Sequence, residues 1–259
     1  MRWTRVGTAF AGLLLLCVSP ETFAGQASQG SAGQQNPPSP PPAGMPALPG
    51  PAVPNVTPRF MVVIDAAHGG DDTGARIGNG VGDHAVEKDI VLSLSVRLRS
   101  TLSAHGIGVV TTRESDINLT PISRAEIANR DSAAACILIH ATATGSGVHL
   151  YTSSLAPLPV TRFMPWQTAQ SGYITQSLKL SSEIDSALAH AEIPVTLGRT
   201  SLQPMDSFAC PAVAVEIAPL VSGASTKATP ISDSAYQKSI VDALTAALTE
   251  WRNDWRQQP

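Results

Sequence analysis

The sequence has no excess of either charge sign: 17 Lys and Arg against 20 Asp and Glu leave a net charge of -3 over 259 residues. Without a basic field to hold a polyanion, sequence-general nucleic-acid binding is excluded as the main role. Cysteine is scarce, three in all, and Cys17 falls in the N-terminal apolar run, so only Cys136 and Cys210 remain to form a disulfide. Both open apolar strand-like runs, where a free cysteine behaves as a small buried hydrophobe. Unpaired burial is therefore the expectation for them. No internal repeat is present, and length alone favours one medium domain with appendages.

The apolar run from Val6 to Val18 falls short of the roughly 20 residues a membrane-spanning helix needs. Arg2 and Arg5 precede it, and Thr22-Phe23-Ala24 places small residues at the -3 and -1 positions of a cleavage site. That pattern predicts a secretory signal peptide over 1–24, hence an exported, periplasmic or secreted protein with no stable span after cleavage. A lipid anchor on Cys17 is disfavoured by Leu16, where a small residue is wanted. From Gly25 to Pro58 the chain is mostly Pro, Gly, Ala, Ser and Gln, as in "QQNPPSPPPAGMPALPGPAVP". Such a segment cannot bury enough apolar area to offset its ordering entropy, so 25–58 is expected to be a disordered, stiff linker and 59–256 the folded domain.

Within that domain, "FMVVIDA" (60–66) is an uninterrupted β-rich run, which predicts a strand covered on both faces. A helix follows, with Val91, Leu94, Leu98 and Leu102 on one face and Gly106 as its stop. "IGVVTT" (107–112) is a strand, Thr120-Pro121 an N-cap with proline at the first helical position, and "AACILIH" (134–140) another buried strand. After "GVHLY" and a long loop come a helix near 176–190, the strand "AVAVEI" (212–217) and a last helix carrying Tyr236, Ile240, Leu244, Leu248, Trp251 and Trp255. The alternation predicts an α/β fold with a mostly parallel, mixed central sheet flanked by helices on both faces.

Three of the buried strands finish on residues that a core would not choose. His68 lies two residues past "VVIDA", His140 ends "CILIH", and Glu216 is embedded in "AVAVEIA". The carboxyl ends of parallel strands form the edge where α/β sheets bind ligands. An unpaired buried carboxylate costs several kcal/mol, of order 1 to 5, so Glu216 needs a cation, a donor set or a proton. Two histidines and a glutamate suit a zinc ion, with Glu87 at the start of the first helix a further candidate. Turn formation alone also accounts for "GGDD", and the helix dipole alone for Glu87.

"VVIDAAHGGDDTGA", "VEKDIVLSLSVRLRSTL", "VVTTRESDINLTPISRAEIANR", "ILIHATA", "GVHLY" and "PAVAVEI" occur in that order. Together they resemble the zinc-dependent N-acetylmuramoyl-L-alanine amidases, the Amidase_3 class of cell-wall hydrolases, over roughly Met61 to Trp251. The resemblance implies that His68, Glu87 and His140 bind one Zn²⁺ and that Glu216 is the catalytic carboxylate beside it. It implies peptidoglycan or muropeptides as substrate and the amide between the lactyl group of N-acetylmuramic acid and L-alanine as the bond cut. A monomer is expected, with no nucleic-acid partner. Asp65 or Asp72 is expected to orient His68, and Arg113 and Arg124 to make scaffold ion pairs. His84, His105, His149 and His190 are expected to be ordinary.

The chain departs from the family pattern at Ala67 and Thr73, where glycine and proline are usual, at Thr142, where asparagine is usual, and over Ala218-Pro219. Two other readings stay open. One is a different zinc amidohydrolase or peptidase using His68 and Asp71 as an HxxD pair; the other is a peptidoglycan-binding module with a degenerate site. The segment from Thr152 to Thr175, with Arg162, Trp166 and Tyr173, either lines the cleft or covers the core.

Overall fold

The computed structural model describes residues 60–77, 85–161, 163–221 and 228–257. The expected signal peptide and linker lie outside the described residues, as do His84 and Arg162. The strands are β1 (Met61–Ala66), β2 (Gly108–Thr111), β3 (Ala135–Ala141), β4 (Val148–Ser153), β5 (Val195–Thr200) and β6 (Ala212–Ile217). They form one sheet in the order β2-β1-β3-β6-β4-β5. The first four of that order run parallel, β4 pairs antiparallel with β6, and β5 pairs parallel with β4. The sheet is thus the mixed, mostly parallel one that the continuous apolar runs predict.

Among the described residues four α-helices accompany it: α1 (Glu87–Ala104), α2 (Pro121–Asn129), α3 (Ile174–His190) and α4 (Ser234–Gln257), with 3-10 segments at Trp166–Gly172 and Met205–Ser207. None of these helices is long and apolar enough to cross a membrane. α1 buries Val91, Leu94, Leu98 and Leu102, and its chain reverses at Gly106, whose φ of 71° is the left-handed conformation that glycine takes without strain. At α2, Thr120 Oγ1 accepts from the Ser123 amide at 3.1 Å, with Pro121 next to it at the first helical position.

The two faces of the sheet are covered unequally. Val62, Ile64, Ile137, Ile139, Val213 and Val215 pack with α1, α3 and α4 in the larger apolar cluster. Val63, Leu138, Ala212 and Ala214 pack with Ala125 and Ala128 of α2 and with Met205 and Phe208 in the smaller one. The smaller cluster also contains Cys136 and Cys210, both fully buried, which form a disulfide with Cα atoms 6.1 Å apart. This corrects the expectation of two free cysteines. Cys136 lies on β3 and Cys210 just ahead of β6, its neighbour, so the pairing follows from strand order and is invisible in the spacing along the chain.

The segment after "GVHLY" is shorter as a loop than the sequence suggests, since Thr152 and Ser153 complete β4 and Trp166–Gly172 is helical. Gln170 donates to the carbonyls of Phe208 and Cys210, and Arg199 to those of Ser153 and Leu155. Those anchors lie at the start of β6 and the end of β4. They tie the segment to the sheet edge opposite the one that carries His140 and Glu216.

Candidate metal centre

β1, β3 and β6 are parallel neighbours, so their carboxyl ends share one edge. His140 and Glu216 are penultimate in their strands and are direct register partners. His68 follows β1 by two residues and has a φ of 59°. A histidine in this left-handed region is uncommon and costs on the order of 1 kcal/mol. The turn is overdetermined by its surroundings: Gly69 and Asp72 exchange backbone hydrogen bonds at 2.9 and 3.2 Å, and Arg124 Nη2 donates to the His68 carbonyl.

Glu87 opens α1 and reaches back over the same edge. Its Oε2 lies 3.1 Å from His68 Nε2 and its Oε1 3.0 Å from His140 Nδ1. Donor atoms of His68, Glu87 and His140 all lie within 4.8 Å of one another, and the two imidazole planes are nearly perpendicular at 89°. Asp71 of the HxxD alternative is outside this group; it is exposed, whereas Glu87 is buried. Two imidazole nitrogens and a carboxylate are a donor set that suits a divalent transition metal.

The partners around the triad fix its orientation. Asp72 Oδ2 lies 2.8 Å from His68 Nδ1, which leaves Nε2 directed at the centre. Asp72, not Asp65, is therefore the residue that orients His68, as carboxylates commonly do for ligand histidines. Asp65 instead accepts from Thr112 and from Arg124 beneath the turn. Glu87 accepts from the Ala75 amide at 2.9 Å and the Ala141 amide at 3.1 Å. Burial raises its pKa, but the hydrogen bonds from His140, His68 and those two amides outweigh it and hold the carboxyl well below the usual range. The hydrogen bond to Glu87 raises the pKa of His68 against the opposing effect of burial, with Asp72 adding to the rise. A bound metal would take the place of that proton.

Glycines make room for this arrangement. At Gly74, φ 63°, an added Cβ would sit 2.6 Å from both Glu87 Oε2 and His68 Cδ2. Ala67, where the family pattern has glycine, is not among the residues with positive φ, and its side chain is buried in the larger cluster. Thr142 occupies itself locally, with its hydroxyl 3.2 Å from that of Thr144 and accepting from the Thr144 amide. The Tyr236 hydroxyl shares its one proton between the carbonyls of Ala218 at 3.0 Å and Gly147 at 3.1 Å.

Arg124 makes the scaffold ion pair expected of it, with Asp65 at 2.8 Å. Arg113 instead directs its guanidinium to the carbonyls of Ala66, Ala67, Lys88 and Ser115. His149, expected to be ordinary, is outside the metal-ligating group, and its Nδ1 lies 2.8 Å from Glu216 Oε2. Tyr151 faces the same carboxylate, and burial, then the Glu216 charge and hydrogen bond, raise its phenol pKa. The alternation in "GVHLY" puts His149 and Tyr151 on one face, but only the antiparallel pairing with β6 shows what that face meets.

An α/β domain with a two-histidine, one-carboxylate centre at the carboxyl edge of its parallel strands is the class that fold and site define. The family model for Amidase_3, N-acetylmuramoyl-L-alanine amidase, matches residues 62–250, and the chain belongs to this family. It is 41% identical over 83 residues to N-acetylmuramoyl-L-alanine amidase AmiA of Escherichia coli, a stretch covering 32% of this chain and 27% of that one. It is 40% identical over 88 residues to an endolysin of Bacillus phage SPP1, covering 34% and 31%. These matches span less than a third of either relative. The catalytic domain of the amidase CwlV from Bacillus (Paenibacillus) polymyxa var. colistinus has the same fold, with a TM-score of 0.56 at 22% identity over 75% of this chain and 98% of that one.

Proposed function

We propose that the protein is an exported zinc-dependent N-acetylmuramoyl-L-alanine amidase that acts as a monomer on peptidoglycan or muropeptides. The bond cleaved is the amide between the lactyl group of N-acetylmuramic acid and L-alanine of the stem peptide. The observation that carries this reading is the meeting of His68, Glu87 and His140 at one sheet edge, with Glu216 the direct register partner of His140. Family membership supplies the substrate class.

His68, Glu87 and His140 would hold the ion, with Asp72 keeping His68 in the tautomer that presents Nε2. When bound, zinc supplies Lewis acidity, lowering the pKa of a water toward about 7 and polarising the scissile carbonyl. Glu216 is the general base and then the general acid. Its side chain is 30% exposed, so water and substrate reach it, and it takes the proton of the attacking water and returns it to the leaving amine. Glu87 stays a carboxylate because the Ala75 and Ala141 amides donate to it, and these donors remain when both imidazoles turn their lone pairs to the ion.

Mass analysis of peptidoglycan digests tests the reading. The wild-type protein is expected to release stem peptides beginning at L-alanine, and Glu216→Gln to release none while retaining zinc. Binding to sacculi without peptide release by the zinc-loaded wild type would favour a binding module instead.

A further inference from the structure

Of the polar groups at the sheet edge, the imidazole of His149 has no part in the steps above. It stands on β4 directly opposite Glu216 in the antiparallel β4–β6 register, with Nδ1 2.8 Å from Oε2. Its far side is closed by the loop between β3 and β4. A Cβ placed on Gly145, whose φ is 88°, would lie 2.5 Å from His149 Cε1 and 2.7 Å from Nε2. The ring therefore fits between a glycine backbone and the carboxylate, and only 16% of its side chain is exposed.

We infer that His149 is a positioning residue for Glu216, donating from Nδ1 to Oε2 so that the carboxylate is held in one rotation and proton transfer runs through Oε1. The inference rests on the role of Glu216 given above. A glutamate has three side-chain torsions, and Glu216 stands at the penultimate position of its strand, where its own backbone does not fix them. Proton transfer requires the acceptor oxygen within hydrogen-bond reach of the attacking water. A misplacement of about 1 Å costs on the order of a hundredfold in rate. Two strands locked by backbone pairing, one holding the carboxylate and the other its donor, give the rigid support that such precision needs. Tyr151, two residues along the same face of β4, adds a second group facing the carboxylate.

The test uses the full-length zinc-loaded protein and a purified muropeptide. His149→Leu keeps the bulk of the ring without its donor, whereas His149→Asn puts an amide N–H near the place of Nδ1–H. The leucine variant is expected to lose about ten- to a hundredfold in kcat with KM and zinc content unchanged, and the asparagine variant to recover most of that loss. Wild-type kcat in the leucine variant, or an asparagine variant no faster than leucine, would overturn the inference. Nitrogen-15 spectra of histidine-labelled protein above neutral pH give a reading independent of turnover. The resonance absent from His149→Asn should report an Nδ1-protonated ring that shifts in Glu216→Ala, and an Nε2-protonated ring in the wild type would overturn the proposal. A wild type that fails to cleave muropeptide while showing the expected tautomer would count against the amidase reading alone.

Discussion

Arg124 and Asp65 form a buried ion pair directly beneath the turn that carries His68. Nη1 lies 2.8 Å from Asp65 Oδ1 and 2.7 Å from the Ala66 carbonyl, while Nη2 donates to the carbonyl of His68 itself. One guanidinium therefore fixes both the end of β1 and the left-handed residue beyond it. Arg124→Met should leave Asp65 buried with Thr112 as its remaining side-chain donor, at a cost of about 3–5 kcal/mol. The double variant Arg124→Met, Asp65→Leu should recover part of that loss. Urea unfolding monitored by circular dichroism measures both. An unchanged midpoint in the single variant would show that the pair does not support the turn.

Gly74 donates its amide to Asp72 Oδ1 at 3.1 Å and, having no side chain, also keeps space beside Glu87 and His68. Alanine there would bring Cβ within 2.6 Å of Glu87 Oε2 and His68 Cδ2, at a φ of 63° that already disfavours a side chain. The Gly74→Ala variant should fold but bind zinc about 10- to 100-fold more weakly, as when groups that support a metal ligand are disturbed. Competition against a chromophoric chelator reads this directly. Wild-type affinity would mean that the side chains of Glu87 and His68 have more freedom than their packing indicates.

The sheet was legible in the sequence where strands are buried on both faces. "AVAVEI" has the bounds that its run of small and β-branched residues indicates, and Thr120-Pro121 starts α2. His68, Glu87 and His140 come together because each sits at the end or start of an element whose direction the βαβ alternation already implied. β5 was not foreseen, for a physical reason: it is a half-exposed edge strand, "VTLGRT", with a glycine and an arginine in it and no periodic apolar face. The disulfide and the His149–Glu216 contact depend on which strands are neighbours, and neighbours such as β3, β6 and β4 are not consecutive in the chain. Asp65 and Asp72 were equivalent candidates to orient His68 until the turn showed which one faces the ring.

The disulfide links residues 74 apart in sequence and joins β3, which carries His140, to the segment just ahead of β6, which carries Glu216. Closing a loop of that size in the unfolded chain corresponds to a stabilisation of about 4 kcal/mol, within the 2–5 kcal/mol commonly lost on removal. Cys136→Ala, Cys210→Ala should unfold at lower temperature by calorimetry. Because both sulfurs are fully buried, the disulfide should resist mild reductant at temperatures well below the transition, and reduction should follow the onset of unfolding. Rapid thiol labelling of the folded protein under reductant would contradict this burial.

Asp116 makes the Gly70 turn beside His68 sensitive to pH. Its Oδ1 accepts from the Gly70 amide at 2.7 Å, and its Oδ2 from Lys88 Nζ, also at 2.7 Å, while Lys88 donates to the Gly70 carbonyl at 2.8 Å. The hydrogen bond from Lys88, followed by that from Gly70, lowers the pKa of Asp116 below its ordinary 3.8. A carboxylate with a depressed folded pKa stabilises the native state above its unfolded pKa, and this contribution is lost as pH falls through the folded value. Asp116→Asn should therefore melt below the wild type near neutral pH, and the two melting curves should converge as pH falls below about 3.8, the unfolded pKa. Added salt should narrow the gap at neutral pH, because the carboxylate is exposed and its attraction to Lys88 is screened. A difference that stayed constant across the acid range would show that the amide substitutes for the carboxylate in shape alone, without a charge contribution from Lys88.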